Sequence, residues 1–367
     1  MQRVLFVFSF LFLITSQIHA QSLIKEAMNS FALYGKKQKI TDLENARKKI
    51  DALYTTKKDS NVYRNNLVRG LIYSTLAVVD VNRKYTYKKD PIEEATFSLR
   101  LLKNSKLNIK YEQELQYIRT QLAKAYLIKA NKALEEGRNY DALSGYVLVN
   151  NLSSGNINVL HNLALLNERI GSIDKAIEYY NALTASESSH PDYFLGLANL
   201  YEQRGDYVNM LSTLQKGHKE FPRNRDIIFK LLNTYSEKAD YKSVLSLINH
   251  ALAIEEDNNN LYYLAGFAHE VTGSLDKAEF YYKKILEKSP DNYDANYALG
   301  LLYLNSFIIN TKNDNSMFLA KQHLVKANEI NPNDIKALRA LNILYNETGD
   351  MLQLEKINNK LNELTLK

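Results

Sequence analysis

The sequence predicts an all-α chain built from stacked helical hairpins, and three observations predict it. Glycine and proline are scarce, 13 and 5 among 367 residues, which leaves little material for tight β-hairpins. Small and large apolar residues recur at spacings of three and four, the interval that aligns side chains on one helical face. Finally, "GSIDKAIEYY", residues 171–180, returns almost unchanged as "GSLDKAEFYY", residues 273–282, after three intervals of 34.

On a grid of 34 residues each element of the unit can be justified in order. The first helix carries Leu160-x2-Leu163-Ala164, Phe194-x2-Leu197-Ala198-x2-Tyr201, Ile228-x2-Leu231-Leu232-x2-Tyr235 and Tyr262-x2-Ala265-Gly266-x2-His269. The turn after it reads Gly171-Ser172, Gly205-Asp206, Ala239-Asp240, Gly273-Ser274 and Gly349-Asp350. Glycine there ends a helix in the left-handed conformation, and Ser or Asp is expected to accept amides that open the next one. In the second helix a small residue precedes a large one by four: Ala176 and Tyr180, Ala278 and Tyr282, Ala320 and Leu324. Small residues on facing helices let two backbones approach. Pro222, Pro290 and Pro332 close the unit, where a missing amide stops the helix.

These columns resemble the tetratricopeptide repeat, a 34-residue helix-turn-helix with W-x2-L-G-x2-Y, then A-x3-F, then P. Six units match over residues 157–367, starting at Ile157, Pro191, Arg225, Asn259, Tyr293 and Ile335. The chain has no Trp, and Asn167 and His269 stand where the first-helix Tyr belongs. A degenerate unit, residues 123–156, keeps Gly137, Ala142 and Tyr146. The unit from Tyr293 is eight residues longer than the period, and the insertion near 304–316 is expected to lengthen the turn inside its hairpin. In the last unit Asn358 replaces the large apolar residue, a polar face suited to a terminal repeat.

The resemblance implies a right-handed superhelical solenoid whose concave face is lined by the first helices and binds extended peptides. Carried over residue by residue, the groove positions are Asn158, His161, Leu165 and Glu168; Asp192, Leu195, Asn199 and Glu202; Asp226, Phe229, Asn233 and Glu237; Asn260, Tyr263, Phe267 and Glu270; and Asp294, Tyr297 and Leu301. The lining is acidic and amidic with an aromatic stripe. Tyr263 and Tyr297, which no core column requires, are expected to be its exposed members. Chaperone-tail-binding members clamp a terminal carboxylate with Lys, Asn and Arg; here the Lys column reads His161, Leu195, Phe229, Tyr263 and Tyr297, so that clamp is not reproduced.

Ahead of the repeats, Arg3, the apolar run Val4–Ile14 and Ile18-His19-Ala20 read as a signal peptide, residues 1–20, cleaved after Ala20. Eleven apolar residues fall short of the ~20 that span a bilayer. Without cysteine the exported chain has no disulfide, thiol nucleophile or lipid-anchor residue, and a periplasmic or secreted location is expected. Residues 21–122 read as a divergent helical, repeat-like region, with Thr41 capping a helix to about Tyr54 and Asp90-Pro91 opening another. This region is basic: Lys36 to Lys110 holds 18 Lys and Arg against 8 Asp and Glu, whereas Tyr111 to Lys367 holds 27 against 32.

No phosphate loop, His-Glu-x-x-His, nucleophile elbow or cysteine nucleophile is present, and the seven histidines lack metal-ligand spacing. The sequence therefore predicts a non-catalytic scaffold without cofactor or metal. Its expected partner is a protein or extended peptide, basic or amide-rich, within a cell-envelope complex, with no nucleic acid and no transmembrane segment. The alternative is a protein that binds glycans or other envelope polymers.

Overall fold

The computed structural model describes residues 21–54, 56, 58–309 and 313–365. The expected signal peptide, residues 1–20, lies outside the described residues. Among them there is no strand, and the helices fall into two compact units divided in sequence between His190 and Pro191.

The first unit contains α1 (21–37), α2 (Ile40–Ala52), α3 (Tyr63–Val79), α4 (Pro91–Leu102), α5 (Glu112–Glu135), α6 (Asn139–Leu152), α7 (Ile157–Arg169) and α8 (Ile173–Thr184). Its centre is α3, buried without a break from Asn65 to Ala77. Ile72 and Leu76 of this helix share a core with Leu43 and Ile50 of α2, Ala95 of α4, and Ile118 and Leu122 of α5. Asp90 caps α4 as expected, accepting the amide of Ile92 at 2.8 Å ahead of Pro91. Thr41 does not cap α2, which begins one residue earlier at Ile40 after an uncapped Lys39. The boundary drawn at 122/123 falls inside α5, whose 24 residues contain neither Gly nor Pro to interrupt them.

The second unit consists of α9 (Pro191–Gln203), α10 (Tyr207–Glu220), α11 (Arg225–Glu237), α12 (Tyr241–Ile254), α13 (Asn259–Val271), α14 (Leu275–Lys288), α15 (Tyr293–Ile309), α16 (Asp314–Ile330), α17 (Ile335–Thr348) and α18 (Met351–Thr365). Consecutive pairs form hairpins. The turn column behaves alike throughout: Gly205, Gly273 and Gly349, and Gly137 and Gly171 in the first unit, all have positive φ. The next amide then bonds back across the last helical turn, as from Asp206 to the Tyr201 carbonyl at 2.8 Å and from Ser274 to His269 at 2.8 Å. This Schellman closure satisfies carbonyls the helix end would otherwise leave open. Ala239 adopts the same conformation, φ 54°, without being glycine. Asp206 and Asp240 cap the helices that follow, at 3.1 and 3.2 Å, whereas Ser172 and Ser274 make no side-chain cap.

The small and large columns explain the hairpin core. Ala176, Ala198, Ala278 and Ala320 are fully buried, as are Leu214, Tyr282 and Leu324. At Gly266 a β-carbon would lie 2.5 Å from Cε1 of Tyr282, so the backbone of α13 rests directly on that ring. Between hairpins the prolines stand in turns, and side chains just after them cap the next first helix. Asn224 accepts from Ile227 at 3.0 Å, Asn292 from Ala295 at 2.9 Å and Asp334 from Ala337 at 3.1 Å.

Most of the insertion extends the two helices, where a longer turn is expected from the sequence. Both α15 and α16 run for 17 residues, where the preceding first and second helices have 13 and 14. The reason lies in the residues: the segment after Tyr303 has no glycine to end the helix, and Leu304 and Phe307 continue its buried face. Asn313 then caps α16 through the amide of Ser316 at 3.1 Å, and Ser316 lies 3.2 Å from Ser306 across the longer hairpin. Burying Phe307 contributes about 1.5–3 kcal/mol toward the added turn. In the same hairpin His323 stacks on Tyr303 and its Nδ1 lies 3.0 Å from Asn296 Oδ1. Because the Asn296 amide nitrogen already donates to Pro290 and Asn292, the imidazole must donate here.

Three outcomes are expected. Ala239→Gly should stabilise the protein by about 0.5–1 kcal/mol, because the left-handed conformation costs alanine ~1–2 kcal/mol while glycine's extra freedom returns ~0.5–1 to the unfolded chain. Gly266→Ala should destabilise by up to about 2 kcal/mol: helix propensity gains ~1, but overpacking against the buried Tyr282 ring costs ~1–3. Urea unfolding checks both signs. Burial, and then Lys283, hold the His323 pKa below its ordinary value against the opposing pull of Glu279. The unfolded chain therefore binds the extra proton first, and stability should fall as pH drops through the unfolded value of about 6.5. His323→Gln should flatten that slope.

Candidate functional site: the first-helix face of the second unit

The first helices α9, α11, α13 and α15 present one row of side chains each, at intervals of three and four. In the second unit none of the positions inferred for a groove is buried. Asp192, Asn199 and Glu202 on α9, Asp226, Asn233 and Glu237 on α11, Asn260 on α13 and Asp294 on α15 are exposed. Leu195, Phe229, Tyr263, Glu270, Tyr297 and Leu301 are half-buried. Of the inferred positions in the first unit, Asn158 and Leu165 are exposed on α7 and His161 and Glu168 half-buried. The residues between these rows, such as Leu197, Leu231, Ala265 and Leu299, form the core, so the helical period separates an accessible face from a packed one.

The aromatic residues differ from expectation in their exposure. Phe267 is the most open, 36% exposed, with its ring perpendicular to that of Tyr241 at 5.3 Å. Tyr263 rests on the ring of Tyr282 at 5.6 Å, and Tyr297 stacks on Tyr293 at 5.8 Å with planes 9° apart. Both tyrosines border the core of their hairpins, which is why they are half-buried and not free. Phe229 lies beneath the guanidinium of Arg225, 4.6 Å from the ring centroid. Burial, then the carboxylates of Asp294 and Glu270, raise the Tyr263 phenol above its ordinary value, and burial does the same for Tyr297. Both hydroxyls stay protonated at neutral pH and can donate.

The acidic lining is also partly engaged. Glu270 accepts the hydroxyl of Tyr282 at 2.9 Å, and Glu168 accepts that of Tyr180 at 3.3 Å. Where the large column holds Leu214 instead of tyrosine, the equivalent carboxylate, Glu202, pairs with Lys230 of the next first helix at 2.6 Å. Sequence reasoning assigned these glutamates to a ligand. The signal that could have corrected it is the interval of twelve shared by Glu168 and Tyr180 and by Glu270 and Tyr282. Among the described residues no three His, Asp or Glu side chains gather as a metal site, and no helix is long and apolar enough to cross a membrane.

Residues 161–209 match the family model described as Tetratricopeptide repeat. Over 106 residues the chain is 27% identical to anaphase-promoting complex subunit 3 of Schizosaccharomyces pombe, a match covering 29% of this chain and 15% of that protein. The chain therefore spans only a small part of that relative's length. Among solved structures, the crystal structure of YrrB, described as a TPR protein with an unusual peptide-binding site, is 21% identical with a TM-score of 0.40, covering 57% of this chain and 96% of that one. The crystal structure of MamA is 21% identical with a TM-score of 0.37, covering 46% and 92%. The tetratricopeptide-repeat model thus matches residues 161–209 of this chain, and the turn and small-large columns repeat on either side of that stretch.

Proposed function

We propose that the first-helix face of the second unit holds another protein through an extended, basic or amide-rich segment. The observation that carries this is the partly exposed row of Leu195, Phe229, Tyr263, Phe267 and Tyr297, alongside exposed Asn199 and Asn233 and the carboxylates of Asp192, Asp226, Glu237 and Asp294. Half-buried rings fixed by neighbours offer apolar area at small entropic cost, and amides can pair with a peptide backbone. Carboxylates beside them favour a cationic or amide-bearing partner over an acidic terminus. A non-catalytic role agrees with the family match and with the absence of the catalytic motifs sought in the sequence. The relative in fission yeast is named as a subunit of a multiprotein complex, which supports the reading as a scaffold.

The cellular setting rests on the sequence alone. The charged start, apolar run and Ala20 support export through a cleaved signal peptide, and with it a place in a cell-envelope assembly. N-terminal mapping of the mature protein should find Gln21 first; a chain that keeps Met1 would remove the export reading.

For the groove, selection from a random peptide library should enrich sequences rich in Lys, Arg, Asn and Gln. Phe267→Ala, alone and combined with Leu195→Ala, should weaken the selected peptides by about tenfold or more, in the range expected for a buried anchor, with the circular dichroism spectrum unchanged. Equal affinity in wild type and variants would remove the assignment.

A further inference from the structure

The first unit carries a charged cavity that the repeat columns do not explain. It is built by α2, α4, the link between α2 and α3, and the side of α3 that faces them, and its volume is about 520 Å³. On its floor Arg69, 8% exposed, donates Nε to Glu94 at 3.0 Å, and its Nη2 also bonds Glu94, which is 6% exposed in its side chain. The remaining arm, Nη1, donates to Asp51, which also accepts the hydroxyl of Tyr73 at 2.9 Å and Arg47 at 2.7 Å. Rings of Tyr54 and Tyr73 lie over the guanidinium at 4.4 and 4.5 Å. The group is pinned on every side, and a residue so deeply buried with carboxylates stays charged.

This arrangement determines the sign of the charge left over. Of the eight acidic residues between Lys36 and Lys110, Glu44, Asp51 and Glu94 are engaged by Arg47 and Arg69. Asp90 takes Arg83, Asp80 takes the amides of Lys84 and Tyr85 and the hydroxyl of Tyr87, and Asp59 takes Thr56, while Asp42 and Glu93 make none of these bonds. The lysines remain outward. Lys48 and Lys89 stand at the cavity rim with side chains 64% and 71% exposed, each beyond 3 Å from a carboxylate whose nearer partner is an arginine, and Lys88 is exposed beside them. The wall between floor and rim holds the half-buried rings of Tyr54 and Phe97.

We propose that this cavity binds a sugar ring bearing a phosphate or carboxylate group. Lys48, Lys88 and Lys89 take the anion, Phe97 and Tyr54 take the apolar C–H face of the ring, and Asp51 and Arg47 on the floor accept from and donate to its hydroxyls. The volume lies in the range of small-ligand sites, and the mixture of aromatic walls with a few fixed polar groups is what orients such a ligand. The floor, with Glu44, Asp51 and Glu94 against Arg47 and Arg69, gives hydroxyls partners at the cost of one net negative charge, which the three ammonium groups at the rim outweigh in attracting the anion.

Calorimetric titration of the full chain tests this with four probes: glucose 6-phosphate, glucuronate, glucose and inorganic phosphate. At least one of the two sugar anions should bind saturably and tenfold or more tightly than glucose or inorganic phosphate; which one binds identifies the anion. Lys48→Ala combined with Lys89→Ala should weaken it by tenfold or more, and both lysines are exposed enough for the fold to persist, as the circular dichroism spectrum will show. Phe97→Leu should weaken the sugar anion and leave inorganic phosphate unchanged. No saturable binding of either sugar anion, equal binding of inorganic phosphate, or unchanged affinity in the lysine variant would overturn the proposal. None of these outcomes bears on the peptide face of the second unit.

Discussion

Close approach of two helices within each hairpin is the constraint on which the rest depends. A small residue in one helix must meet a large one in the other, and Gly266 beneath the ring of Tyr282 is its tightest instance. There is no room for a β-carbon, so Tyr282 packs directly on the backbone of α13, and Tyr263, three positions earlier on the same side of the helix, rests on the same ring. Phe267, one position and about 100° round α13 from Gly266, falls on the accessible side. Structure and candidate site are therefore two sides of one helical period.

Much of this is legible in the sequence because the period is written in residues with narrow physical roles. Gly205, Gly273 and Gly349 mark turns since few other residues accept positive φ, and Ala176, Ala278 and Ala320 mark contacts since only small side chains fit. Even Ala239, chemically out of place in the turn column, obeys the column and not its own preference. What was not legible depends on contacts between distant columns. The eight added residues could enter a turn or extend two helices, and only burial of Leu304 and Phe307 decides between them. The exposure of Tyr263 and Tyr297 depended likewise on Tyr282 and Tyr293, which the groove columns do not mention.

Charge is the second theme, and the two units use it differently. In the second unit carboxylates such as Glu202 and Glu270 act locally, tying one helix to another through lysine or tyrosine. In the first, Glu44, Asp51, Glu94 and Asp90 converge on Arg47, Arg69 and Arg83, while Lys48, Lys88 and Lys89 stay outward. Arg69 belongs to none of the repeat columns read from the sequence. Its partners, Asp51 and Glu94, are 18 and 25 residues away, and no spacing rule links them.

The bond between Tyr282 and Glu270, and its counterpart between Tyr180 and Glu168, lies wholly inside one hairpin, as do the turn bonds that close each first helix. A segment that satisfies its own buried polar groups can be copied, inserted or lost as a block without stranding an unpaired donor in its neighbours. That independence is what makes near-identical decapeptides three units apart physically permissible. The chain can be lengthened by duplication while selection acts separately on the side chains facing outward.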